Sequence, residues 1–153
     1  MAVRLSRPCK SFLSPILLNK MISFDEFSII AAQETRQLPA YVFDQLSGGV
    51  LADEHAYLHP ARAADDLYIL GTYTVSGMGR QVVLYYGSFA AVLGNSSREA
   101  WRERVRAVLR HEFRHHLETS AGEFGKDSLI EEDRESMRRY YMMHAVRKTE
   151  HPE

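Results

Sequence analysis

The sequence predicts an α+β domain in which a small sheet, including a hairpin, packs against helices. Three observations predict it. Ser23 and Glu26 form a capping-box pattern at the head of an apolar-periodic stretch. A run of β-branched and aromatic residues folds back on itself through the turn Ser76-Gly77-Met78-Gly79. A long polar-apolar stretch after Ser97 keeps a helical period. The chain has 153 residues, 45% of them hydrophobic and 25% charged, enough for one core without covalent staples.

Residues 1–20 carry Arg4, Arg7 and Lys10 and a short apolar patch broken by Ser14 and Pro15. A secretory leader needs an unbroken apolar stretch, so this segment reads as a flexible extension or a start-site artefact upstream of Met21. The first helix follows Ser23, with Phe24, Phe27, Ile30 and Ala31 on one face, and stops near Gln37 because Leu38 precedes Pro39. Tyr41, Val42, Phe43 and Leu46 suggest a short second helix ended by Gly48-Gly49. Residues 50–57 read as extended and lead into a polar loop at His59-Pro60. Residues 67–75 and 81–86 are the two hairpin strands. A short helix is expected over 87–94. Ser96 or Ser97 then caps a long helix running to about Glu118. After a loop containing Gly122 and Gly125, a last helix covers about 130–147 and residues 148–153 form a tail. Residues 21–147 thus read as a single domain.

Charge and cysteine content narrow the function. Nineteen Lys+Arg against twenty Asp+Glu give a net charge of −1, which excludes a strongly basic nucleic-acid coat. No apolar run approaches the roughly 20 residues that span a bilayer, so no membrane partner is expected. Cys9 is the only cysteine, which fits a reducing, cytoplasmic compartment.

The long helix carries His111-Glu112-Phe113-Arg114-His115, a His-Glu-x-x-His pattern. Histidines four apart on a helix lie on one face about 6 Å apart, so both rings can reach one ion. A chain of this composition produces the pattern by chance roughly 0.03 times. On a helical wheel Trp101, Val105, Val108 and Leu109 form an apolar sector; both histidines fall on its edge and Glu112 falls inside it. Zn²⁺ held there lowers the pKa of a water to about 7, and the Glu112 carboxylate takes its proton as the water attacks a carbonyl.

A third protein ligand is needed if one position is to stay open. Glu118 lies seven residues past His111, roughly 10.5 Å along the axis, which excludes it on an unbroken helix. The ligand is therefore expected from beyond the Gly122 to Gly125 loop. The acidic cluster Glu131, Glu132 and Asp133, with Glu135, opens the last helix and is well placed, while Glu123 and Asp127 on the loop and His144 far down the helix are weaker candidates.

Three segments resemble the bacterial minimal-zincin family of small metallopeptidases. They are Met21-Ile-Ser-Phe-Asp-Glu-Phe, then Leu70-Gly-Thr-Tyr with Arg80-Gln-Val-Val-Leu-Tyr-Tyr-Gly-Ser-Phe, and Val108-Leu-Arg-His-Glu-Phe-Arg-His-His-Leu with its doubled histidine. The resemblance spans about residues 21–140. It implies a zincin-like fold with His111 and His115 as ligands of one Zn²⁺, Glu112 as general base, and a peptide or protein as substrate. Compact members read His-Glu-x-x-His-x-x-Gly-x-x-Asp; here Glu118 stands where that Gly would be and Ala121 where that Asp would be. The stretch looks like a longer-loop variant in which Asp133 takes the equivalent place. Under the same reading the strand 81–86 edges the cleft and pairs with an extended peptide. Tyr85 and Tyr86 are then candidates for oxyanion stabilisation or, more commonly, buried aromatics, His116 either orients a ligand or packs in the core, and His55 and His59 are solvated.

Arg98, Arg102, Arg106, Arg110 and Arg114 recur every fourth residue. The slightly negative net charge and the interleaved Glu99 and Glu103 favour a solvated face of surface ion pairs over a phosphate-contacting row. The function expected is zinc-dependent hydrolysis of peptide bonds. The alternative is a non-proteolytic metal-binding or partner-binding protein that retains the site. Substrate preference and oligomeric state are not encoded in any motif.

Overall fold

The structure, a computed structural model, describes residues 1–4, 20–122 and 128–150, the last four as backbone only. Its order is β1 (Ala2–Arg4), α1 (Phe24–Arg36), a 3₁₀ turn (Ala40–Phe43), β2 (Gly49–Asp53), β3 (Tyr57–Leu58), β4 (Leu67–Ile69), β5 (Gly71–Ser76), β6 (Gly79–Tyr85), α2 (Tyr86–Leu93), α3 (Arg98–Ala121) and α4 (Leu129–Glu150). This is the α+β class that the sequence predicts. The residues outside the described set include Glu123 and Asp127 and most of the 1–20 segment.

Local chemistry sets the helix ends. The Ser23 hydroxyl accepts from the Glu26 N–H, and the Glu26 carboxylate accepts from the Ser23 N–H at 2.9 Å, a complete capping box at α1. Ser97, not Ser96, caps α3 by accepting from the Ala100 N–H at 3.2 Å. That helix runs a turn beyond Glu118 and stops where Gly122 adopts φ 71°, a left-handed conformation that favours glycine. The expected second helix shrinks to a 3₁₀ turn because Asp44 leaves helical geometry at ψ 128°. Val42 is still buried.

Among the described residues two three-stranded sheets form, in the orders β1-β4-β3 and β2-β6-β5. The hairpin β5–β6 is antiparallel with Gly71 opposite Leu84, and β2 runs parallel to β6 with Val50 opposite Val82. The expected strand 67–75 is divided at Leu70, which is fully buried and turns the chain from one sheet into the other. Its N–H donates to the Met1 carbonyl at 2.8 Å and its carbonyl accepts from the Tyr85 N–H at 2.9 Å. Two expectations about strand 81–86 are corrected. Tyr86 opens α2 rather than ending a strand, and β6 is flanked on both sides, so its backbone groups are already spent in the sheet. The strands bordering the cleft are β1, β4 and β5.

The core lies between the β2-β6-β5 sheet and helices α1 and α3. Phe27, Phe89 and Trp101 are fully buried, with Phe27 and Phe89 ring centroids 5.0 Å apart. The arginine stripe is more than a solvated face. Arg102 and Arg106 converge on Glu34 of α1, at 3.5 and 2.8 Å, and Glu34 is 2% exposed. A buried carboxylate requires such partners, so these arginines fasten α1 to α3.

Candidate metal centre

Helix α3 presents three of the expected site residues because its inner face is buried along its whole length, from Trp101 through Val105, Val108 and Leu109 to Phe113. His111 and His115 stand at the margin of that face, with side chains 18% and 19% exposed, while Glu112 is 1% exposed. Asp133 reaches them from the second turn of α4. Its Oδ2 lies 2.9 Å from His115 Nε2 and 3.3 Å from His111 Nε2. One potential ligand atom from each of the three residues lies within 4.8 Å of the others. Burial alone would raise the Asp133 pKa, but hydrogen bonds from both histidines and their charge outweigh it and hold the carboxyl well below its usual range. Two imidazoles and a carboxylate in this arrangement are the donor set of a hydrolytic zinc site, so the residues fit a divalent ion.

The other acidic candidates have different occupations. Glu118 Oε2 accepts the Leu129 N–H at 2.9 Å and so caps α4, while Oε1 pairs with Arg114 at 2.8 Å. Burial pushes the Glu118 pKa up, and the Leu129 N–H and Arg114 bring it below its usual value. Arg114 also holds Glu132 at 2.9 Å. Glu131 and Glu135 pair with Arg134 and Arg138 along α4 itself. Further down, Tyr140 accepts from the N–H groups of Ala63 and Ala64 and donates to Asp66 at 2.9 Å. His144 is half-buried and pairs with Asp66 at 3.2 Å.

Glu112 forms part of the wall of a cleft of about 690 Å³ that His111, His115, Asp133, His59 and Tyr73 also line. Gly71 lets β5 come this close to α3: a Cβ there would stand 2.6 Å from Val108 Cγ1 and 3.3 Å from Glu112 Cγ. Glu112 Oε1 accepts a hydrogen bond from the Met1 amino group at 2.6 Å, and the Gly71 carbonyl accepts a second at 2.7 Å.

The aromatic and histidine assignments also resolve. Tyr85 shares a hydrogen bond with Thr72 and stacks on Tyr57; Tyr86 donates to the Ile22 carbonyl and packs among Phe24, Phe27 and Trp101. Neither lines the cleft. His116 is buried, with Nε2 2.8 Å from the Asp44 carbonyl and Nδ1 3.2 Å from the Tyr73 hydroxyl. A carbonyl can only accept, so Nε2 carries the proton and Nδ1 accepts from Tyr73. It is a satisfied core histidine. His59 is the residue the sequence misplaced. It lines the cleft, and burial lowers its pKa, aided by the positive Met1 amino group. Its Nδ1 accepts from the Ala61 N–H at 3.1 Å, which leaves Nε2 as the protonated nitrogen of the neutral ring. No local motif announces it, because its place depends on the loop that carries it.

Among the described residues no helix is long and apolar enough to cross a membrane. The zincin-like metallopeptidase family model matches residues 63–131. That segment runs from just before β4 to the first turn of α4; it contains His111, Glu112 and His115 and stops two residues short of Asp133. A solved structure, a conserved hypothetical protein from Thermus thermophilus, is similar with 28% identity and a TM-score of 0.56 over 67% of this chain and 100% of that one. No curated protein matches the chain. Residues 63–131 are thus similar to the zincin-like metallopeptidases, and the α+β fold that holds them is consistent with that likeness.

Proposed function

We propose that the protein is a zinc-dependent metallopeptidase in which His111, His115 and Asp133 hold one Zn²⁺ and Glu112 is the general base. The observation that carries this reading is the convergence of two imidazoles and a carboxylate from two helices beside a buried glutamate in an open cleft. A divalent ion bound there supplies Lewis acidity that polarises a carbonyl and makes a water acidic near neutral pH. The protein's own groups do the rest. Glu112 takes the proton of the attacking water and returns it to the departing amine, a role supported by the amino group it already holds at 2.6 Å. His59 offers a neutral imidazole N–H to the same cleft. The free outer edge of β5 offers backbone groups to an extended peptide, since β5 pairs only with β6 among the described residues.

The test is metal content of protein purified without added metal or affinity tag, followed by hydrolysis of an unstructured peptide library. About one zinc per chain is expected, lost in His111→Ala and kept in Glu112→Gln. Turnover in Glu112→Gln is expected to fall about 10²- to 10⁴-fold. Unchanged turnover in that variant refutes the assigned role. A second reading, a non-proteolytic metal-binding protein, has one observation on its side: Glu112 is already engaged by the chain's own Met1. Metal retained with no cleavage of any library peptide would favour it.

A further inference from the structure

Residues 2–4 form an extended strand, and Met1 and Ala2 line the cleft. Strand β1 pairs antiparallel with β4, Ala2 opposite Ile69, Val3 opposite Tyr68 and Arg4 opposite Leu67. Both ends are held by carboxylates. The Met1 amino group is hydrogen-bonded to Glu112 and the Gly71 carbonyl, and Arg4 Nε donates to Asp66 Oδ2 at 3.0 Å. Between them, the Met1 carbonyl accepts from the Leu70 N–H, and the Met1 and Val3 side chains pack against the core. Asp66 is itself positioned by Tyr140 and His144.

We propose that this groove is a receptor for an extended peptide with a free amino terminus, an apolar first residue and a basic fourth residue, and that residues 1–4 fill it in cis. Glu112 and the Gly71 carbonyl read the ammonium group; Asp66 reads the guanidinium. The assignment of subsites rests on the metallopeptidase reading. Hydrolysis breaks a C–N bond, places the hydroxyl of water on the carbonyl carbon and its proton on nitrogen, and so creates a new amino terminus beside the general base. Met1 occupies that position, which makes residues 1–4 an analogue of the product on the amine side of the cut. Residues ahead of the cut would continue the same antiparallel ladder along the outer edge of β5, past Thr72 and Tyr73. While the segment is seated, it competes with any incoming peptide.

The test uses the full chain with Met1 retained, verified by intact mass. Met1 is acylated at neutral pH and followed by mass mapping beside the free peptide Met-Ala-Val-Arg-amide. Its amino group is expected to react at least about tenfold more slowly than that of the peptide, as a seated group should. Arg4→Glu, which alters only the inserted segment, is expected to remove most of that protection. The same peptide, labelled at its C-terminus, is expected to bind the Arg4→Glu chain about tenfold more tightly than the unaltered chain. Neither its N-acetylated form nor Met-Ala-Val-Glu-amide should displace it. An amino group as reactive as the free peptide's, or equal displacement by the acetylated form, overturns the proposal. None of these readouts needs turnover. Protection of Met1 in the unaltered chain with no peptide cleavage by the Arg4→Glu chain would refute the peptidase reading and keep the groove; cleavage with an unprotected Met1 would do the reverse.

Discussion

Helices α3 and α4 both contribute to the candidate metal centre, and they are held in opposite ways. Helix α3 is buried on one face throughout, with Trp101, Val105, Val108, Leu109, Phe113 and His116 all packed inside. Among its described side chains α4 buries only Leu129 and Tyr140, while Met142, Met143 and Val146 face outward. It is fixed chiefly by polar contacts: Glu118 on the Leu129 N–H, Arg114 on Glu132, and Tyr140 on Ala63, Ala64 and Asp66. The difference teaches how the site divides its labour. The two candidate histidine ligands and the proposed base are set by apolar packing, which is non-directional and hard to displace. The candidate third ligand, Asp133, is delivered by hydrogen bonds and ion pairs, which are directional and individually modest.

That contrast can be broken from either side. The largest effect is expected from His115→Ala, which leaves an incomplete ligand pair on α3 and should abolish bound metal in atomic absorption, with the fold intact by circular dichroism. Asp133→Ala should weaken metal binding by more than the 10–100-fold typical of a lost supporting partner, measured by chelator competition. An unchanged affinity would remove α4 from the site. Gly71→Ala attacks the packed side. Its new Cβ meets Val108 and presses towards Glu112, so a loss of about 1–3 kcal/mol is expected in chemical denaturation.

Smaller effects probe the tether of α4. Glu118→Gln keeps the shape but weakens the charge-assisted cap, at about 1 kcal/mol in thermal unfolding, and should lower metal affinity while leaving the α1–α3 core unaltered. The same tether has a sign in pH. Glu118 and Asp66 both lie below their usual pKa in the folded chain, so each contributes stability that is complete above its unfolded value. That contribution is lost as pH falls through about 4 towards the lower folded values. Hydrogen exchange at pH below about 4 should therefore show α4 opening before α3. Simultaneous opening would mean that the two helices are one cooperative unit.

Much of this architecture is local and so was legible in the sequence. The capping box at Ser23 and Glu26, the glycine turn of the hairpin and the His-Glu-x-x-His spacing each involve residues within one turn of helix or one tight turn of chain. The apolar sector of α3 likewise placed Glu112 inside and both histidines at the edge, because helical period converts directly into a buried face. The acidic cluster at the head of α4 pointed to a short stretch containing Asp133, but several carboxylates shared that stretch and nothing local separated them.

Tertiary structure made the separations. Glu118 became a cap, Glu132 an arginine partner and Asp133 the neighbour of the two histidines, because each assignment depends on how α4 lies across α3. The division of strand 67–75 at Leu70, the interior position of β6 and the placing of His59 in the cleft follow from sheet order, which sequence periodicity does not specify. The seating of Met1 against Glu112 joins residues 111 positions apart. Sequence by itself determined the helices, the hairpin and the chemistry of α3, since those obey short-range sterics and periodicity. Which carboxylate meets the histidines, and which backbone edge lies beside the cleft, was decided only when long-range packing brought separate elements together.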